Sequence, residues 1–158
     1  MKSKKETSIS ILPEIENRIY TIRGMKGMLD FHLAEMYSIE TKNLKRQVKR
    51  NIERFPEDFM FELTAIEFNS LRSQFGTLEK GKGQHPKYLP FAFTEQGVAM
   101  LSSVLNSKQA IAVNIQIMRV FVNFRAIASQ HKDILKKLDA LENKVGEHDT
   151  SIKKFFIT

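Results

Sequence analysis

The chain contains no cysteine, which removes disulfides and thiolate sites for zinc, iron or nucleophilic chemistry, and which suits a reducing compartment. No apolar stretch reads as the roughly 18 to 20 residues that cross a bilayer. Lys2, Lys4 and Lys5 resemble the basic start of a signal peptide, but Ile9 to Pro13 is too short for its apolar core. A cytoplasmic, unexported protein without a membrane partner is the expectation. His32, His85, His131 and His148 lie far apart and lack the i, i+4 spacing of a helical metal pair, so no metal is expected. There is no Ser-His-Asp order, nucleophile elbow or glycine-rich dinucleotide fingerprint, and Glu57 and Asp58 sit in a turn beside Pro56. The expectation is therefore a protein that is not an enzyme and needs no cofactor. Internal repeats and long low-complexity tracts are also absent.

Against these absences stand 42% apolar residues, enough for a core, and a formal charge of +7 from 25 Lys and Arg against 18 Asp and Glu. An excess of this size suits a polyanionic partner, although many ordinary proteins share it. Residues 1–13 are polar and read as a flexible N-terminal tail. Arg18 to Arg23 alternates like a strand, and Gly24 and Gly27 bracket a turn that closes a small hairpin. Asp30 is a candidate N-cap for a helix of about two turns from Phe31 to Tyr37, broken by Ser38-Ile39-Glu40. Thr41 then caps a longer helix to Arg54, with Leu44, Val48, Ile52 and Phe55 as its apolar stripe and Pro56 as its stop. A short helix, a three-residue turn and a longer helix form a helix-turn-helix outline.

Downstream, Phe59 to Leu63 reads as a strand, and Thr64-Ala-Ile-Glu67 is a capping box opening a helix to about Leu71. Arg72 to Phe75 and Lys87 to Phe93 read as two extended arms of a hairpin whose glycine-rich tip, Glu79 to Pro86, is a basic wing or a plain surface loop. Its Lys-Gly-Lys-Gly lacks phosphate-loop spacing. Thr94 caps a helix to Leu105, Asn106 ends it, and Ser107 caps another reaching at least Ala128. Apolar residues surround almost the whole circumference of that last helix, so burial on several sides is expected. Beyond it Ile127, His131, Ile134, Leu138, Leu141, Val145, His148 and Ile152 recur at alternating spacings of four and three, a heptad seam. The two histidines on it read as register features. The expected class is α+β, a helix-turn-helix domain with small hairpins, winged-helix-like, over residues 14–128, followed by a coiled-coil oligomerisation tail over 129–158.

Residues 41–54 hold six cations and one carboxylate, and the charge is sorted by face. A major groove admits one helix; its floor is read by Arg, Lys, Asn and Gln, and its walls are phosphates. Position along the helix assigns Lys42, Asn43, Arg46 and Gln47 to base readout. Thr41, Lys45, Lys49, Arg50 and Arg54 fall to phosphates, joined by Lys80, Lys82 and Lys87 from the hairpin. A solvated amphipathic helix carries the same charge pattern; the short helix and turn ahead of it favour docking. Ile134, Leu138, Leu141, Val145 and Ile152 form the oligomer seam.

Ile19-Tyr-Thr-Ile-Arg-Gly24, Leu33-Ala-Glu-Met-Tyr37, Lys49 to Phe59, Leu71-Arg-Ser-Gln74 and Tyr88 to Ser102 closely resemble the ORF-six N-terminal domain family, kin of the KilA-N domain of phage antirepressors. The likeness runs in order from about Ile15 to Arg125. It implies an α+β DNA-binding domain of prophages and mobile elements with a variable C-terminal portion, and no catalytic residue. The partners expected are double-stranded DNA, a second copy or more of the chain, and, in an antirepressor role, a repressor protein bound by the tail.

Overall fold

A computed structural model describes residues 13–74 and 88–156, with side chains as far as Gly146. The class is α+β, as the sequence indicates. After a short helix α1 (residues 13–17) come β1 (Ile19–Ile22), β2 (Met25–Leu29), α2 (Asp30–Tyr37) and α3 (Thr41–Arg50). A 3-10 turn (Ile52–Arg54), β3 (Met60–Glu62), α4 (Ala65–Arg72), β4 (Phe91–Thr94), α5 (Glu95–Leu105) and α6 (Lys108–Phe156) complete the order. The residue 79–86 tip, with Lys80, Lys82 and Lys87, lies outside the described residues, as does the segment 1–12.

The β1–β2 hairpin turns at Arg23 and Gly24, both with positive φ (53° and 75°), with Ile22 facing Met25. Two such residues make the tight turn whose twist matches its strands. Gly27 is therefore not part of the turn; it lies within β2 opposite Thr94, where a Cβ would stand 3.0 Å from the Phe93 carbonyl oxygen.

The sheet is antiparallel in the order β1-β2-β4-β3. This corrects the hairpin expected across residues 72–93. Arg72 ends α4 and Ser73 keeps helical dihedrals, so no strand forms there, and β4 inserts between β2 and β3. Cross-strand partners share a face. Leu29, Ala92 and Phe61 line up on one side, where Tyr20, Ile22 and Leu63 join Phe68 and Leu71 of α4. Ile19, Met28, Phe93 and Met60 line up on the other, with Phe55 edge-on to Phe93 at 5.9 Å. On that side α5 packs against β2 and β4, and α3 against α2 and α5.

Local chemistry sets the helix ends. The capping box at Thr64 and Glu67 forms as read, Thr94 Oγ1 accepts from the Gly97 N–H, and Ser107 Oγ accepts from Ala110. Asn106 ends α5 in the left-handed region, φ 44°. Two cap assignments are corrected. Asp30 and Thr41 are the first helical residues of α2 and α3; Leu29 and Glu40 precede them without side-chain caps.

Arg23 closes the free side of β3. Its guanidinium grips Glu67 through two bonds of 2.9 Å, donates to the Glu62 carbonyl at 3.3 Å and lies 4.3 Å over the Phe61 ring. An edge strand so occupied is a poor template for a foreign strand. The hydrogen bonds from Arg23, helped by Thr64, hold the Glu67 carboxyl down to about 2. An unfolded glutamate titrates near 4.3. The clamp thus contributes stability in full above that value and loses it as pH falls toward 2. Arg23→Ala is expected to flatten this part of the acid unfolding curve, seen by circular dichroism between about pH 5 and pH 2. His32 works in the opposite sense to a surface histidine: burial lowers it to about 4, and Tyr20 Oη stands 3.2 Å from its Nε2.

Contacts divide the chain after Val120 into two units. In the first, α6 inserts Val113, Ile117 and Val120 into the core. Buried Asn114 accepts from the Tyr37 hydroxyl and donates to the Val98 carbonyl (3.0 Å) and Ser102 Oγ (2.6 Å), so its amide is satisfied at both ends. The expectation that burial surrounds this helix is corrected: Ile111 and Ile115 remain nearly half exposed. So is the reading that no segment suits a bilayer. Within Lys108–Gly146 an 18-residue window reaches a mean hydropathy of 1.3, apolar enough by length and composition to cross one. The first-unit core already accounts for part of that apolarity. In the second unit, residues 121–156 are helical, and the seam residues Ile134, Leu138, Leu141 and Val145 are all exposed, Leu138 least at 48%. The Ile152 side chain lies outside the described ones.

Candidate nucleic-acid interface

Leu44 and Val48 are fully buried and fix the rotation of α3. At 100° per residue this turns Arg46 straight outward, with Lys42, Lys49 and Arg50 beside it; all four are exposed. Thr41 and Lys45 fall on one flank, Asn43 and Gln47 on the other. Asn43 is exposed and Gln47 half-buried. The helix ends sooner than its stripe suggested. Asn51 leaves helical geometry (φ −121°, ψ 33°) and bonds its side-chain amide to the Gln47 carbonyl at 2.8 Å. In consequence Ile52, read as an inward position, is 54% exposed, whereas Phe55 remains buried. Arg54 belongs to the 3-10 turn and reaches Ser103 Oγ at 3.4 Å.

The short turn between α2 and α3 follows from Ser38, which adopts a left-handed conformation at φ 60° and donates its N–H back to α2. The helices α2 and α3 are thus joined by the short segment 38–40.

Lys45 departs most from the sequence reading. Its ammonium points inward, 2.8 Å from the Leu89 carbonyl oxygen and 3.5 Å from the Asp30 carboxylate, with the Phe91 ring centroid 4.9 Å away. Asp30 is 1% exposed and also accepts from the Phe91 N–H at 2.9 Å. Burial raises the Asp30 carboxyl, against the opposing pull of that N–H and of Lys45. The trio ties the start of α2, the middle of α3 and the start of β4 together. Lys45 thus leaves the set of candidate phosphate contacts, because its charge has internal partners. The signal was present in the sequence: a residue 100° from Leu44 borders the buried stripe. Asp30 was legible only as a cap.

Beside α3 runs an open groove of 670 Å³, with Lys42, Arg46, Lys49 and Arg50 on its helix wall and Glu62 and Tyr88 among the residues opposite. Phe91 lies in its lining. Lys42 also meets Glu40 at 3.3 Å, but both side chains are about two-thirds exposed or more, so the pair is weak and easily exchanged. No group of three or more His, Cys, Asp or Glu able to hold a metal occurs among the described residues.

A family model described as ORF6N domain matches residues 17–104, more than half the chain, from just ahead of β1 to the end of α5. No curated protein and no solved structure matches the chain.

Proposed function

The chain belongs to the ORF6N domain family, and on that premise we propose that it is a phage-type regulator that binds double-stranded DNA in a sequence-specific, non-catalytic manner. The observation that carries this reading is the outward face of α3. Lys42, Arg46, Lys49 and Arg50 stand exposed on α3, the longer of two successive helices joined at Ser38, rotated outward by the buried Leu44 and Val48. A cationic helix held rigidly at the surface matches a major groove walled by phosphates. Arg46 and Lys42 approach the bases, Lys49 and Arg50 the backbone, and Asn43 and Gln47 contribute from the flank. Arg54 is a peripheral contact. Replacing Arg46, Lys49 and Arg50 together with Ala is expected to lower affinity for every duplex roughly tenfold or more. The slope of log affinity against log salt should fall by about 3. Fluorescence anisotropy at several salt concentrations reads both; an unchanged slope removes α3 from the interface.

The tail supports a second element of the reading, homodimerisation. Ile134, Leu138, Leu141 and Val145 recur at alternating spacings of four and three, are exposed, and are separated by charged residues, so pairing of helices covers them at low cost to solvation. Leu138→Lys with Leu141→Lys is expected to give a monomer in analytical ultracentrifugation and to weaken binding to a two-half-site DNA. If the doubly substituted chain binds such DNA as before, the tail serves another partner, as in an antirepressor that captures a repressor.

A further inference from the structure

Glu62 stands on the wall of the groove opposite the cations, and among the described residues no ion pair neutralises it. The register Glu62 to Phe91 puts both side chains on the sheet face turned toward α3. Among the described residues lining that groove, Glu62 is the acidic one against five cations. Yet no ion pair within 4 Å engages its carboxylate among the described residues; only its backbone carbonyl is used, by Arg23. The surrounding cations are placed so that they do not close on it. Lys45 is taken by Asp30 and Leu89, and the Arg23 guanidinium is committed to Glu67. Lys49 and Glu62 both line this groove, and both line a second hollow beside Phe55, without pairing.

A carboxylate there repels phosphate. It divides the groove into a helix wall that favours the backbone and a strand wall that favours hydrogen-bond donors. In a major groove the donors are the exocyclic amino groups of cytosine and adenine. Adenine sets its N7 acceptor beside that amino group, which repels a second acceptor, whereas the cytosine amino group has no such neighbour on its own base. We propose that Glu62 is a specificity-determining residue that accepts a hydrogen bond from a cytosine amino group and rejects thymine at the same position. The inference rests on the DNA-binding reading of α3 and deepens it.

The test uses the full chain. Bound sites are selected from random-sequence duplex DNA at about 0.1 M salt. Affinities are then measured for the selected duplex and for one with the cytosine·guanine pair exchanged for thymine·adenine. The wild type is expected to prefer cytosine at one position by roughly tenfold. Glu62→Gln should lose that preference, or shift it to adenine, whose N6 and N7 suit an amide, and should bind unselected duplex severalfold more tightly as repulsion is lost. Because Glu62 is exposed, its unfolding curve should match the wild type. A Glu62→Gln protein that selects the same sequence overturns the inference. So does a wild type that binds duplex without preference, which leaves the α3 reading standing. A wild type that binds no duplex overturns both.

Discussion

Lys45→Met is expected to destabilise the domain by about 3 kcal/mol at neutral pH, although Lys45 lies on the most basic helix of the chain. Removing one partner of a buried ion pair leaves the other charge unpaired, and such losses run to about 3–5 kcal/mol. The stranded group is Asp30, 1% exposed and already raised by burial. Without Lys45 its folded carboxyl rises further, so the variant regains stability as pH falls and Asp30 takes up a proton. A group raised in the folded state favours folding below its unfolded value and loses that contribution as pH rises through the folded one. Urea unfolding at about pH 5 and pH 8 should therefore show a smaller deficit in acid. Adding Asp30→Asn should recover part of the loss. Lys42→Met, three residues earlier and with an exposed side chain, should change stability by less than about 0.5 kcal/mol. Equal effects at the two lysines would show that Lys45 is a surface cation after all.

Gly97→Ala should be at least as damaging, on the order of 3–5 kcal/mol, with loss of soluble protein as its first sign. A Cβ at this position would lie 1.9 Å from the Phe59 carbonyl oxygen and 2.9 Å from the carbon behind it. Those are backbone atoms, so no rotamer relieves the clash. The same approach is needed twice over: Phe59 accepts the Thr94 N–H at 3.0 Å, and Thr94 Oγ1 donates to the Asp58 carbonyl at 2.7 Å while capping α5. Moving α5 away to admit a methyl group would open the cap and the sheet register together. Overpacking in a close-packed core ordinarily costs about 1–3 kcal/mol because side chains can give; here the backbone must. Gly146→Ala, whose added Cβ would meet nothing within 4 Å beyond its own helix among the described residues, is the control and should leave folding intact while raising helicity slightly. Circular dichroism and thermal unfolding of the two variants separate the cases, and a Gly97→Ala protein that melts like the wild type would mean that α5 does not approach the Phe59 backbone this closely.

Much of this fold is legible in the amino-acid sequence. Helix ends followed from side chains that satisfy orphan backbone groups, as at Thr64 with Glu67, Thr94 and Ser107, because such capping acts over three residues and needs no distant partner. The misreadings share a cause of the opposite kind. Arg72 to Phe75 looked extended, but Arg72 and Ser73 stay helical beneath the packing of Leu71 and Phe68 against the sheet. Ile52 kept the spacing of a buried stripe, but the helix had ended at Asn51 and its direction was lost. At the candidate site, the exposure of Lys42, Arg46, Lys49 and Arg50 followed from the positions of Leu44 and Val48. The roles of Asp30 and Glu62 did not, since each depends on a strand far along the chain.

The dense basic helix, the heptad spacing of the tail and the family likeness were determined by the sequence itself. Period and local capping fix which residues share a face, whatever that face meets. What covers the face is a long-range matter, and only the tertiary structure decided it. The spacing that runs through Val113, Ile117 and Val120 reappears in Ile134, Leu138 and Leu141, yet the first three are core and the last three are exposed. Likewise Lys45 and Lys49 sit one turn apart, and a buried aspartate from the preceding helix makes the first a strut while the second stays open to solvent.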